Sequence, residues 1–225
     1  MGARAFVWLG GVLFVVSLSF TAWSFIIVMG RPLPAAGWPP VAADLLLITI
    51  FALHHSLCAR DRVKAWLTRS VPASLLRSVY VWIASLLLIL VCGLWRPVGG
   101  ELYAATGLVA MACAAVQIAG FAITARGVAR IDPLELAGIR PPAPTDGLQV
   151  TGPYRWVRHP LYLGWFLMVF GTAHMTGDRL TFAATTTLYL MIAIPWEERS
   201  LRSSFGDAYV RYMRAVRWRM IPFIY

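Results

Sequence analysis

The sequence predicts an all-α, polytopic helical membrane protein with four spans, then a C-terminal transmembrane helical hairpin and an amphipathic cytoplasmic tail. Three observations carry that expectation. Of the 225 residues, 59% are hydrophobic and 13% charged, with ten tryptophans, which is a membrane composition. Four apolar segments are each long enough to cross a bilayer core, which takes about 20 helical residues. Basic residues alternate between rich and poor stretches, as they do when successive loops face opposite sides of a membrane. Counting the spans leaves no room for a soluble domain. Residues 1–225 therefore read as one membrane domain, with a four-span part, 1–125, and a second part, 126–225.

Residues 5–29 form the first span. Arg4 ahead of them imitates a signal peptide, but the apolar run is too long for one and no small-x-small cleavage site precedes Arg31. Residues 31–40 hold four prolines and predict a short rigid loop. The second span, 41–58, ends in the polar run His54-His55-Ser56-Leu57-Cys58, where His54 and Cys58 share a helix face. Residues 59–77 are polar and basic, and Val63, Trp66 and Leu67 at i, i+3, i+4 spacing predict a short interfacial helix. The third span covers 78–95 and the fourth 102–125, with a tight turn between them. Residues 126–159 are the longest non-membrane stretch. Pro133, Pro141, Pro142, Pro144 and Pro153 predict little regular structure there, apart from a short piece at 134–138. Residues 161–176 and 180–195 are apolar but short for independent spans. Split by Gly177-Asp178-Arg179, they predict a hairpin leaning on its neighbours. From Trp196 the chain turns polar and predicts the amphipathic tail.

Charge sets the expected orientation. Seventeen of the 20 basic residues fall on the side of the N-terminus, residues 59–77, residues 126–160 and the tail; only Arg31, Arg96 and Arg179 fall opposite. By the positive-inside rule both termini are cytoplasmic. Only Lys64 among the basic residues is lysine, a bias that accompanies GC-rich bacterial genomes, so the expected location is a bacterial cytoplasmic (inner) membrane. Cys58, Cys92 and Cys113 lie in or at the ends of apolar segments without a C-x-x-C. Neither a disulfide framework nor a metal site is expected.

On the cytoplasmic face the densest polar stretch is residues 151–164, TGPYRWVRHPLYLG. Gly152-Pro153 is a turn pair, and Pro160 suits the first turn of a new helix, so Arg158-His159 is presented at a helix start. Free N–H groups and the positive dipole end there suit an anionic ligand group; a basic turn meeting lipid headgroups is the plain alternative. Glu197-Glu198 follows the last apolar run. Adjacent carboxylates at a membrane boundary are costly without a cationic partner, which is either a ligand or a neighbour such as Arg199 or Arg202. His54 and His55 are candidates for a base. Capping of the second helix, or a two-histidine metal or haem site, are alternatives for them. Gln117, an amide inside the fourth span, faces the bundle interior by default. It contacts either a ligand or a neighbouring helix.

The pattern G-x-Y-x-x-x-R-H-P-x-Y-x-G, here Gly152 to Gly164, resembles the signature of integral-membrane methyltransferases related to isoprenylcysteine carboxyl methyltransferase and the phospholipid methyltransferases. A second match follows in order, E-E-x-x-L-x-x-x-F-G-x-x-Y-x-x-Y, here Glu197 to Tyr212. The resemblance implies S-adenosylmethionine as cofactor, bound by Tyr154, Arg158, His159, Tyr162, Gly164, Glu197 and Glu198 at the mouth of the hairpin. The carboxylates would meet its ammonium and sulfonium, and Arg158 or His159 its carboxylate. Residues 55–97 and 174–201 resemble the bacterial methanethiol S-methyltransferases of that superfamily. This implies methylation of a small thiol such as methanethiol to a thioether. A thiol reacts as its thiolate, so His54 or His55 is the expected base, with Ser56 and Gln117 the expected substrate contacts. The alternatives are an isoprenylcysteine carboxyl O-methyltransferase, a phospholipid N-methyltransferase, or a non-enzymatic carrier or redox-complex assembly factor. Expected partners are a small thiol or lipophilic substrate and membrane lipid, with no nucleic acid and no obligate protein partner.

Overall fold

The computed structural model describes residues 2–58, 60–130, 132–140 and 147–225. Pro141, Pro142 and Pro144 of the expected irregular stretch lie outside them. In chain order the elements are α1 (Gly2–Trp23), continued by a π-helical turn (Ser24–Val28), α2 (Trp38–Cys58), α3 (Asp61–Leu67) and α4 (Ala73–Gly93). Then come β1 (Glu101–Ala104), α5 (Gly107–Val128), α6 (Pro133–Leu136), a 3-10 turn (Gly152–Arg155), α7 (Pro160–Phe170), β2 (His174–Thr176), α8 (Gly177–Phe205) and α9 (Asp207–Ala215). Proline opens several of these helices, with Pro39, Pro133 and Pro160 in first turns, where a missing N–H costs nothing. Asp132 caps α6 by accepting from Leu134 N at 2.9 Å.

The architecture is all-α and polytopic. The helical segments Gly2–Val28, Trp38–Cys58, Ala73–Gly93 and Gly107–Val128 are each long and apolar enough to cross a membrane. Their outward side chains are large and apolar, including Trp8, Leu46, Leu86, Ile118 and Phe121, which suits hydrocarbon and would be anomalous in water.

The chain gathers into two compact units, Met1–Glu101 with Asp132–Pro142 and Thr176–Thr181, and Leu102–Ile131 with Ala143–Met175 and Phe182–Tyr225. In the first, α1 packs on α4. Trp82 stacks on Phe6 at 5.5 Å and donates to the Phe6 carbonyl at 3.0 Å. Behind α6, Gly138 adopts a φ of +69°, which L side chains rarely reach, and its carbonyl accepts from Ser78 Oγ at 2.6 Å. Asp178 is buried and accepts from Trp95 Nε1, Val98 N and Gly99 N, each at 2.8 Å. Arg179 donates to the carbonyls of Phe25 and Ile26 at 3.0 and 2.7 Å, so a cation closes the π-helical turn.

In the second unit α5 and α7 pack closely. Gly120 and Gly164 face each other there. A Cβ on Gly120 would lie 2.7 Å from the Gly164 carbonyl, and one on Gly164 would meet Thr124. Gln117 Nε2 donates to the Met168 carbonyl at 2.9 Å, the helix-bonding alternative for that amide. Tyr209, Tyr212 and Val216 form a core with Leu148, Leu201, Phe205 and Met213.

Three local expectations need correction. Residues 102–104 are strand β1, and the fourth span starts only at Gly107. The first arm of the hairpin is shorter than its apolar run: α7 has 11 residues, about 16 Å at helical rise, and residues 174–176 extend as β2. The second arm does not stop at Pro195. Helix α8 runs 29 residues through that proline, so Glu197 and Glu198 stand inside a helix. Pro195 removes the bond to the carbonyl four residues back, that of Met191, and the Tyr225 hydroxyl donates to that carbonyl at 3.4 Å.

Candidate active site

The densest polar cluster of the second unit forms where the start of α7 meets the C-terminal third of α8 and the segment after α9. Gly152, at a φ of +62°, opens the 3-10 turn that leads to Arg158 and His159. The backbone of these two is fixed by the tail, with Arg158 N donating to Trp218 O at 2.9 Å and His159 N to Arg219 O at 2.8 Å. Pro160 then starts α7, with His159 as its N-cap residue.

Arg158 is buried, and its Nε and Nη1 are engaged with protein groups. Its Nε lies 2.7 Å from Glu198 Oε1, and Nη1 donates to the carbonyls of Val216 and Arg217, both at 2.9 Å. The other oxygen of Glu198 lies 3.4 Å from Arg219 Nε. Burial by itself would raise the Glu198 carboxyl. His159 and Arg158 beside it outweigh that and hold it at about 2, below the ordinary 4.5.

Glu197, one position earlier on α8, points elsewhere, because successive helical residues are rotated by about 100°. Tyr162 OH donates to its Oε2 at 2.8 Å, and His159 Nδ1 is 3.5 Å from the same oxygen. Only 2% of the Glu198 side chain is exposed, against 45% of Glu197. His159 and Tyr162 stack at 5.4 Å and 14°. Tyr154 lies under the cluster: its carbonyl accepts from Tyr212 OH at 2.8 Å, and burial, then Glu197, pushes its hydroxyl up. Burial and nearby Glu198 push Tyr209 up to about 12. Two buried polar atoms here, His159 Nε2 and Tyr209 OH, make no well-aligned hydrogen bond among the described residues. The nearest carboxylate oxygen to His159 Nε2, Glu198 Oε1, is 3.5 Å away. An open groove of about 530 Å³ runs beside Arg155, Arg211 and Tyr212.

Of the residues marked in the sequence, Arg158, His159, Tyr162, Glu197 and Glu198 thus come together, with Tyr154 beneath. Gly164 sits in the α5–α7 contact. Arg219 and the Val216 and Arg217 carbonyls went unmarked, because a basic tail carries no local signal for which of its members turns inward. In the first unit, His54 Nδ1 lies 3.5 Å from Cys58 Sγ, as their shared helix face implies. His55 Nδ1 is hydrogen-bonded to Tyr80 OH at 2.6 Å, and Ser56 is half-buried on the same helix. Among the described residues no group of three or more His, Cys, Asp or Glu comes together to hold a metal ion.

Residues 142–208 match the phospholipid methyltransferase family profile. Over 190 residues, 80% of this chain and 74% of the relative, the chain is 38% identical to methanethiol S-methyltransferase of Crocosphaera subtropica. It is 36% identical over 187 residues to that of Mycobacterium tuberculosis, covering 78% and 76% of the two chains. The chain belongs to the methanethiol S-methyltransferase family. A weaker likeness, 28% over 180 residues with 72% and 68% covered, joins this methyltransferase to nurim of Homo sapiens. No solved structure matches it. Membership in a methyltransferase family sets aside the reading as a carrier or assembly factor. Such an enzyme needs a methyl donor, and a buried, charge-balanced cluster with unsatisfied polar atoms suits a polar ligand of mixed charge.

Proposed function

We propose that this chain is an S-adenosylmethionine-dependent S-methyltransferase of the bacterial cytoplasmic membrane, acting on a small thiol such as methanethiol. The names of its relatives support the acceptor. The observation that carries the donor site is the closure of two distant motifs into one cluster, Arg158 to Glu198 at 2.7 Å, with Glu197 left half-exposed beside stacked His159 and Tyr162.

S-Adenosylmethionine, when bound, supplies a methyl group on a cationic sulfur, and it carries an ammonium and a carboxylate. Glu197 is the residue to hold the cationic end, and the Tyr162 ring adds an aromatic face for the positive charge. His159 Nε2 and Tyr209 OH, neither well bonded within the protein, would gain hydrogen bonds. Arg158 Nε and Nη1 are already bonded within the protein, which favours Arg155 and Arg211 of the open groove for the carboxylate. Arg158 and Glu198 then position the others, Tyr154 anchors the 3-10 turn to α9, and Gly164 lets α7 approach α5. The remaining tasks of the protein are alignment and exclusion of water. A thiol reacts as its thiolate and is mostly protonated near neutrality, so His54 or His55 is proposed to meet it. The seventeen-to-three asymmetry of basic residues supports cytoplasmic termini.

Calorimetry of S-adenosylhomocysteine on detergent-purified protein tests the donor site. Combined His159→Ala and Glu197→Ala substitution is expected to weaken binding at least tenfold, and undiminished binding would sink the assignment. Headspace chromatography of cells fed methanethiol is expected to show dimethyl sulfide. The match to the phospholipid methyltransferase profile makes lipid the rival acceptor, and labelled methyl entering the lipid fraction without any thioether would favour it.

A further inference from the structure

Within the first unit, α2, α3 and α4 enclose a cavity of about 110 Å³ lined by His54, Cys58, Leu67, Leu76, Tyr80 and Ile83. Its walls are mainly aliphatic. Polar groups gather at one wall. His54 stacks with Tyr80 at 5.6 Å, and its Nδ1 meets Cys58 Sγ at 3.5 Å. Its Nε2 is buried and has no hydrogen-bond partner among the described residues. The neighbouring His55 is differently placed: its Nδ1 is taken by the Tyr80 hydroxyl at 2.6 Å, and it is absent from the cavity lining.

A buried polar atom without a partner is costly, and a ligand able to pair with it recovers that loss. The size of the space limits what can enter, since a cavity of roughly 150 Å³ accommodates benzene. The space here suits a molecule of a few heavy atoms. When His54 Nδ1 carries its proton toward Cys58 Sγ, Nε2 presents a bare lone pair. The ligand should then be small, mostly apolar and a single weak donor. A short alkanethiol meets all three requirements; a prenylated cysteine or a phospholipid headgroup is too large.

We propose that this cavity binds the small neutral thiol acceptor, which donates its S–H to His54 Nε2 while its alkyl group lies against Leu76 and Ile83. The proposal rests on the small-thiol reading above and adds the place where the thiol is held and which of the two histidines it meets. Cys58 is a positioning residue, because its Sγ meets His54 Nδ1 and can accept the proton of the tautomer that leaves Nε2 bare, and the Tyr80–His55 bond holds the ring that His54 stacks on.

Ligand-observed NMR of ¹³C-labelled methanethiol with the purified protein reads this site without turnover. Binding is expected in the parent and at least tenfold weaker in His54→Asn, which removes the Nε2 position. In turnover assays His54→Asn should raise the thiol KM about tenfold, with the KM for S-adenosylmethionine unchanged. Ile83→Ala should shift the ratio of butanethiol to methanethiol kcat/KM upward about tenfold, a gain that a misfolded variant cannot produce. Thiol binding and size preference unchanged in both variants would overturn the inference. Binding that depends on His54 in a protein with no thiol methylation would instead overturn the proposed function and leave this site standing.

Discussion

Glu197 and Glu198 are sequence neighbours with opposite environments, one half-exposed and one buried between Arg158 and Arg219. The structure therefore separates their mutants. Glu198→Gln leaves the Arg158 guanidinium buried without its counter-charge, and losing one partner of such a pair costs about 3–5 kcal/mol. Thermal unfolding in detergent should show a large drop. Glu197→Gln should cost less than about 1 kcal/mol, as at other exposed pairs, yet weaken donor binding about tenfold by calorimetry. Equal destabilisation by the two would contradict these placements. The pH dependence has a definite sign. The folded-state value of Glu198 is depressed, so its stabilising contribution is complete above the ordinary value of 4.5 and is lost as pH falls toward about 2. Acid unfolding followed by tryptophan fluorescence should show a step in that window that is absent from Glu198→Gln.

Helix α8 survives a proline because another element repairs the damage. The Met191 carbonyl, left without its usual donor by Pro195, takes the Tyr225 hydroxyl, and that oxygen also accepts from Arg219 Nη1 at 3.2 Å. Tyr225→Phe removes both bonds and should cost about 1 kcal/mol, read as a small fall in melting temperature. No change at all would mean that the tail does not support the helix. The α5–α7 contact is less forgiving, since Gly164 meets Thr124 and Gly120 with no space for a methyl group. Gly164→Ala should destabilise by about 1–3 kcal/mol through overpacking. Full stability with lost donor binding would instead assign Gly164 to the ligand.

Across the whole molecule the clearest test is orientation. A fluorescent protein fused at the C-terminus should light up, and alkaline phosphatase inserted after Gly100 should be active; the opposite pair of results would invert the topology. Apolar length and net charge are local, additive properties of a segment. That is why four helices long and apolar enough to span, the short α3 and the proline-started α7 are legible in the amino-acid sequence. The residues of the cluster are legible too, since two motifs name Arg158, His159, Tyr162, Glu197 and Glu198. Their division of labour is not. Whether a polar group is buried depends on which partners reach it, and here the partners stand far apart in the chain: Arg158 from Glu198, Trp95 from Asp178, Arg179 from the Phe25 carbonyl, Tyr225 from the Met191 carbonyl. Likewise a glycine in a motif reads as a ligand contact until the facing helix is known. The sequence by itself determined which segments are long and apolar enough to cross a membrane and which motif residues form the polar cluster. Only the tertiary structure decided which of those charges face each other, because pairing is set by the register of helices against one another, and no local pattern encodes that.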